Sequence, residues 1–86
     1  KIYPTVVEAA INAAIIEMEA KQYDRALAIL AKSDASDARI LALRGNIYAA
    51  LGDMGKARVE WTNAAAKGNA DAQHNLAELD KHLKSL

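Results

Sequence analysis

The chain contains no cysteine and no phenylalanine, and its 86 residues include only one proline and four glycines. Without cysteine it can form neither a disulfide framework nor a thiolate metal site, and its redox compartment stays undecided. Charge of one sign is also missing, because 11 Lys and Arg offset 11 Asp and Glu. Proteins that hold nucleic acids or anionic membranes by charge need a basic excess, so neither is expected as a partner.

Long hydrophobic runs are absent as well, although 52% of the residues are apolar. No apolar stretch is long enough to cross a bilayer or to form the core of a signal peptide. Twenty of the residues are alanine, which favours helix and lets helices approach closely. The composition therefore predicts one soluble all-α domain, cytoplasmic or periplasmic, with no membrane insertion by this segment.

The first two helices can be placed from the helix-breaking residues and from the spacing of the apolar residues. Pro4 suits the first turn of a helix, and nothing interrupts the helical pattern as far as Ala20. A second helix is predicted to begin at Tyr23, because apolar residues recur from there at three- and four-residue spacing. The polar segment 33–37 then predicts a loop that supplies the N-cap of a third helix. The candidate caps are Ser36 and Asp34.

The remaining boundaries rest on glycine and on short polar residues. Gly52 and Gly68 are predicted to end the third and fourth helices in a left-handed conformation. Asp53 and Asn69 follow directly and are predicted to cap the next helix in each case. A fifth helix is predicted from about residue 70 to residue 83. Five helices with such short connections are expected to pack as successive antiparallel hairpins.

The chain repeats itself with a period of 31 or 32 residues. Small residues recur at Ala14, Gly45 and Ala77, and a second small residue follows twelve positions later at Ala26 and Ala57. Two helices can cross closely where each of them has a small side chain, and such pairs provide that. Bulky residues are expected to fill the space between hairpins; they are Tyr23, Leu30, Tyr48 and Trp61. The repeat predicts a stack of similar helical hairpins.

These residues resemble the tetratricopeptide repeat family. The second unit carries the resemblance best, through the run 43–48, the turn 51–53 and the residues Ala57, Trp61 and Ala64. The first unit departs from the pattern, with Glu17 where an aromatic is usual and Lys21 where glycine is usual. The segment 61–76 is also similar to Sel1-like repeats, but the short turn at Gly52 lacks the Sel1 insertion.

The resemblance implies an α-α superhelix of two hairpins, at about 4–33 and 36–68, followed by a capping helix at 70–84. The capping helix has one apolar stripe, formed by Leu76, Leu79 and Leu83. Stable arrays usually have three repeats or more. Because the chain is shorter than that and begins with Lys1, it is predicted to be a piece of a longer, bacterial-looking protein.

The resemblance also implies where function lies, on a concave face lined by the first helix of each hairpin. The predicted partner-binding residues are Ile11, Ile15 and Met18 in helix one, Arg39, Ala42, Asn46 and Ala49 in helix three, and His74 and Glu78 in helix five. Ala50, Asp71, Lys81 and His82 belong to the same predicted lining. The expected partner is another protein or a peptide.

Several of these residues allow two interpretations. Ile11, Ile15 and Met18 form either core or a contact surface, and the surface would serve an apolar peptide or a preceding segment of the same protein. Asn46 either bonds a peptide backbone or is a solvent-facing polar residue. His74, Glu78 and His82 share a face with Asp71 that is either a solvated cap or a weak metal-ligand candidate, without closing ligands in view. Trp61 is interpreted as core.

The sequence predicts a non-enzymatic protein-interaction module, or scaffold, because it shows neither a catalytic triad arrangement nor a phosphate-binding loop. No cofactor and no metal are expected. Two alternatives stay open: self-association into a homo-oligomer through apolar helix one, and a docking or regulatory role in a larger protein. The order of Ala26, Leu30, 43–45, Ala57 and Trp61 is also loosely similar to the periplasmic helical domain of an ancillary subunit of the bacterial Sec translocon.

Overall fold

The computed structural model describes residues 4–34 and 36–84, which form five α-helices joined by short turns. The helices are α1 (Pro4–Glu19), α2 (Tyr23–Ala31), α3 (Ala38–Ala50), α4 (Met54–Ala66) and α5 (Ala70–Lys84). This part of the chain contains no strand, so the predicted all-α class is confirmed. The helix boundaries lie close to the predicted ones because glycines and capping residues punctuate the sequence clearly.

Three of the helices end in the same way, with one residue in the left-handed conformation. The residues are Lys21 (φ 61°), Gly52 (φ 85°) and Gly68 (φ 91°), which confirms the prediction for both glycines. In each turn the next N–H bonds back to a carbonyl five residues earlier: Gln22 to Glu17 at 2.8 Å, Asp53 to Tyr48 at 2.9 Å and Asn69 to Ala64 at 3.1 Å. The first unit thus forms its turn without glycine, at a cost of about 1–2 kcal/mol for the left-handed lysine.

The N-caps follow the predictions at two helices and differ at one. Asp53 accepts a hydrogen bond from the N–H of Lys56 at 3.0 Å, and Asn69 accepts one from Ala72 at 2.8 Å. The cap of α3, however, is Asp37, whose carboxylate accepts from the Arg39 N–H at 2.8 Å. The prediction of Ser36 or Asp34 was therefore wrong.

The reason is that a cap stands directly before the first helical residue, and α3 begins at Ala38. Asp34 instead accepts bonds from both the N–H and the hydroxyl of Ser36, at 2.9 and 2.6 Å, inside the loop. Ala35, in the same predicted loop, lies outside the described residues.

The predicted close crossings occupy the centre of both hairpins. Ala14 and Ala26 are completely buried where α1 meets α2, and Gly45 and Ala57 are buried where α3 meets α4. A Cβ atom at position 45 would overlap the indole ring of Trp61, so only glycine fits there. Ala77 is exposed, because no helix in the described residues follows α5 to cross it.

Two apolar clusters hold the stack together. Cluster one joins α1, α2 and α3 and contains Val7, Ala14, Ala26, Leu30, Ile40, Leu43 and Ile47. Cluster two joins α3, α4 and α5 and contains Leu41, Ala42, Ala57, Trp61, Ala64, Ala72 and Leu79. Helix α3 contributes to both clusters, and Trp61 is core as predicted. Leu76 packs beside cluster two, whereas the side chain of Leu83 lies outside the described residues.

We expect Gly45→Ala to lower the free energy of unfolding by about 1–3 kcal/mol, because the added methyl group must displace Trp61. This loss should appear although alanine is the better helix former by about 1 kcal/mol. Gly55→Ala is the matched control, since a Cβ at position 55 meets only the Asp53 carboxylate at 3.7 Å. Urea unfolding should show the control unchanged or more stable, and equal stability of both variants would contradict the close crossing.

Candidate functional site

A shallow groove of about 170 Å³ lies between α1, α3 and the beginning of α5. Its lining consists of Ile11, Ile15, Arg39, Ala42, Leu43, Asn46, Asn69 and Asp71. Five of the nine predicted partner-binding residues are therefore brought together in one place: Ile11, Ile15, Arg39, Ala42 and Asn46. The stacking of α3 against α1 creates this groove, and α5 closes one end of it.

The apolar end of the groove is formed by helix α1. Ile11 is half-buried and packs against cluster one, whereas Ile15 keeps 38% of its surface exposed. Met18 also packs against cluster one, and Ala49 packs against cluster two. Of the two interpretations of these residues, the core one describes Ile11 and Met18, and the contact surface stays a prediction for Ile15. Met18 and Ala49 contribute to the core, and Ile15 offers the accessible apolar surface.

Arg39 lies at the groove with its charge already engaged. Its Nε and Nη2 atoms donate to the two carboxylate oxygens of Asp37 at 3.1 and 2.9 Å, and its Nη1 lies 4.0 Å from Glu8 Oε1. The hydrogen bond from Arg39 lowers the pKa of Asp37, against the opposing effect of desolvation. The carboxylate of Asp37 therefore stabilises the fold above its ordinary pKa of 3.8, and this contribution is lost as the pH falls through the lowered value.

The edge of the groove carries more negative than positive charge. Glu8, Asp37 and Asp71 provide three carboxylates near the single guanidinium of Arg39. The same contact with Asp37 raises the pKa of Arg39. A partner with a basic group fits this edge better than one with a carboxylate.

Asn46 connects three helices. Its Oδ1 accepts one hydrogen bond from Trp61 Nε1 at 3.1 Å and another from Asn75 Nδ2 at 3.1 Å. A carbonyl oxygen has two lone pairs, so this atom is fully used inside the protein. The binding of a peptide by the Asn46 amide stays a prediction, and in this structure the oxygen of that amide bonds to Trp61 and Asn75. The NH₂ group of Asn46 keeps its capacity to donate.

Of the five predicted residues of helix five, Asp71 lines the groove beside Ile15, whereas His74, Glu78, Lys81 and His82 do not. Glu78 and His82 line a separate groove of about 330 Å³, beside Met54 and Trp61. His74 is exposed on the surface of α5. Across residues 4–34 and 36–84, no three side chains of the metal-binding types converge. The predicted lining is therefore divided between two grooves, because helical spacing alone did not show where α5 turns away from α3.

The sequence analysis also missed features that depend on contacts between helices. Leu43 and Asn69 line the groove but were not predicted there. Arg44 Nε donates to Glu60 Oε1 at 3.0 Å, and this ion pair links α3 to α4 with the Glu60 side chain almost completely buried. A buried Trp indole usually has a hydrogen-bond acceptor, and that rule was the signal that could have pointed to Asn46.

The chain matches the sequence profile of a tetratricopeptide repeat-like domain over residues 6–84. It therefore belongs to the tetratricopeptide repeat family, whose domains are generally non-catalytic scaffolds that mediate protein interactions. No curated protein and no solved structure gives a significant match, so the similarity to a translocon subunit stays a prediction. None of the described helices is both long and apolar enough to span a bilayer.

We expect Asn46→Ala to lower the free energy of unfolding by about 1–3 kcal/mol, because Trp61 Nε1 then loses its acceptor in a buried position. Asn63→Ala is the control, since Asn63 is an exposed amide on α4 and should change stability by less than about 0.5 kcal/mol. Chemical denaturation measures the loss of stability, and the NMR shift of the Trp61 indole N–H reports the loss of its hydrogen bond. Equal stability of the two variants would contradict a structural role for Asn46.

Proposed function

We propose that this protein is a non-catalytic interaction module that binds an apolar peptide segment of a partner protein in the groove between α1 and α3. The observation that supports the proposal is the exposure of Ile15 at a groove that also contains Ile11 and Ala42. An isoleucine in contact with water can bury further apolar area when a partner side chain lies against it. The small side chain of Ala42 leaves room for that partner.

The chemistry of the groove favours a basic residue next to the apolar one. The carboxylates of Glu8 and Asp71 lie at the edge, and Arg39 is occupied by Asp37. A peptide carboxylate would have to compete with Asp37 for the guanidinium, so a ligand held by its acidic end is disfavoured. Donors toward the peptide backbone are the amide NH₂ groups of Asn46 and Asn69, because the oxygens of both amides already accept bonds within the protein.

The test uses a display library of random peptides of about twelve residues, selected on the wild-type protein. Enriched peptides should carry Leu, Ile or Val beside Lys or Arg. In fluorescence anisotropy, Ile15→Glu should weaken their binding by at least about tenfold, because it places a carboxylate in the apolar end of the groove. Circular dichroism of the variant should remain that of the wild type, since Ile15 is partly exposed.

Val59→Glu is the matched control, because Val59 is exposed on α4 and lines a different groove with Tyr48 and Lys56. This variant should bind the selected peptides like the wild type. The proposal fails if peptides bind Ile15→Glu and wild type equally well. It also fails if the amide resonances that shift on binding belong to α4 and leave Ala42 and Asn46 unchanged.

A further inference from the structure

A second groove, of about 330 Å³, lies between α4 and the C-terminal half of α5. Its lining consists of Met54, Trp61, Asn75, Glu78, Leu79 and His82. We call it the second groove, and we call the groove between α1 and α3 the first groove. Met54 and Leu79 give the second groove apolar walls, and Met54 keeps 40% of its surface exposed. A methionine side chain is flexible enough to adapt to the shape of a bound group. The second groove can therefore accept an apolar side chain.

One difference between the two hairpins accompanies the second groove. Thirty-one residues before Met54 and Trp61 stand Tyr23 and Leu30. In the first hairpin Tyr23 packs against cluster one, and Leu30 is almost completely buried. In the second hairpin a methionine stands in place of the tyrosine, and it is exposed beside an open groove. The second groove therefore depends on a residue that the first hairpin does not share.

The two grooves meet at a hydrogen bond. Asn46 lines the first groove, Asn75 lines the second, and Asn75 Nδ2 donates to Asn46 Oδ1 at 3.1 Å. Helix α5 borders both grooves with the same face. Asp71 lines the first groove, and Glu78, which stands two helical turns later, lines the second. The two grooves are therefore neighbours along one face of α5.

The pair of amides suits a peptide backbone that passes over it. Asn46 uses its oxygen within the protein, so its NH₂ group keeps the capacity to donate. Asn75 uses its NH₂ group for the bond to Asn46, so its Oδ1 keeps the capacity to accept. In an extended peptide the N–H and the C=O of one residue point to the same side of the chain. The pair thus offers one donor and one acceptor to a single peptide residue.

We propose that the partner segment continues from the first groove over Asn46 and Asn75 into the second groove, where a second apolar side chain packs against Met54 and Leu79. This inference rests on the proposed function and adds a second anchor to it. The seven residues from Asp71 to Glu78 rise about 10 Å along α5. An extended peptide covers that distance with about three residues. The ligand is therefore a segment with two apolar residues three or four positions apart.

The charge of the second groove agrees with that of the first. Glu78 contributes a carboxylate to the second groove, as Asp71 does to the first. Glu78 Oε1 lies 3.6 Å from Lys81 Nζ, and both side chains are exposed. An exposed ion pair of this kind is weak, so a basic group of the ligand can replace Lys81. A basic residue is therefore expected beside each of the two apolar residues.

A double-mutant cycle tests the second anchor with peptides selected on the wild-type protein. Serine replaces the two apolar residues of a peptide in turn, and fluorescence anisotropy measures the affinity. Each replacement should weaken binding to the wild type by about tenfold. One of them should cost about threefold or less on Met54→Ser, because the apolar wall is already gone, and the other should lose its effect on Ile15→Glu.

Val59→Ser is the matched control for Met54→Ser, because Val59 is an exposed apolar residue of α4 that lines a different groove. This variant should bind every peptide like the wild type. Met54→Ser should keep the circular dichroism spectrum of the wild type, since Met54 is the partly exposed first residue of α4.

The methionine methyl groups give a second readout, because the chain contains only Met18 and Met54. The NMR signal of Met54 should shift when the peptide with both apolar residues is added. It should shift much less with the peptide whose second anchor is serine. Met18 packs against cluster one and serves as the internal reference.

The outcomes separate this inference from the proposed function. Binding that depends on Ile15 but is equally strong in Met54→Ser, with an unmoved Met54 signal, overturns the second anchor and leaves the proposed function intact. Equal costs of both serine replacements on Met54→Ser and wild type also overturn the second anchor. Binding that does not depend on Ile15 overturns the proposed function, and the second anchor fails with it.

Discussion

The approach of α3 to α4 at Gly45 is the contact on which the rest of the structure depends. Because position 45 has no side chain, the indole of Trp61 lies directly against the backbone of α3. At that depth its N–H reaches Asn46, whose oxygen also accepts a bond from Asn75 of α5. One point in α3 thereby sets the positions of α4 and α5. The other face of α3 carries Ile40 and Ile47 into cluster one, so the same helix also holds the first hairpin.

The groove follows from the way α1 meets this central helix. Val7 and Ala14 lie on the side of α1 that faces the core, and neighbouring residues are turned to either side of that contact. Ile15 therefore borders the groove, whereas Ile16 lies on the outer end of the stack. A helix that is apolar on several faces can contribute both to the core and to the groove beside it.

Much of the fold could be predicted from the sequence because its signals are local. The glycines at 52 and 68, the caps at Asp53 and Asn69, and the 31-residue period depend on residues close in sequence. The first unit departs from the repeat pattern, and the structure shows the consequences. Lys21 adopts a left-handed conformation, and Glu17, in the place of Tyr48, has a buried carboxylate oxygen without a hydrogen-bond partner in the described structure.

The candidate site could be predicted only in part, because it depends on contacts between helices. Periodicity showed that Ile11, Ile15 and Met18 share one side of α1, but not which of them α3 and α2 cover. It likewise gave no sign that Asn46 bonds to Asn75, 29 residues away, or that α5 carries Glu78 into another groove. Rotation and tilt between neighbouring helices decide such contacts, and they result from packing rather than from the pattern of a single helix.

The central claim is that equivalent positions of the repeat are covered at α3 and open at α1. The most direct measurement is the broadening of isoleucine methyl resonances by a dissolved paramagnetic agent. The account predicts strong broadening of Ile16 and Ile15 and little effect on Ile40 and Ile47. Protection of Ile16 equal to that of Ile47 would contradict it, and so would strong broadening of Ile40 and Ile47.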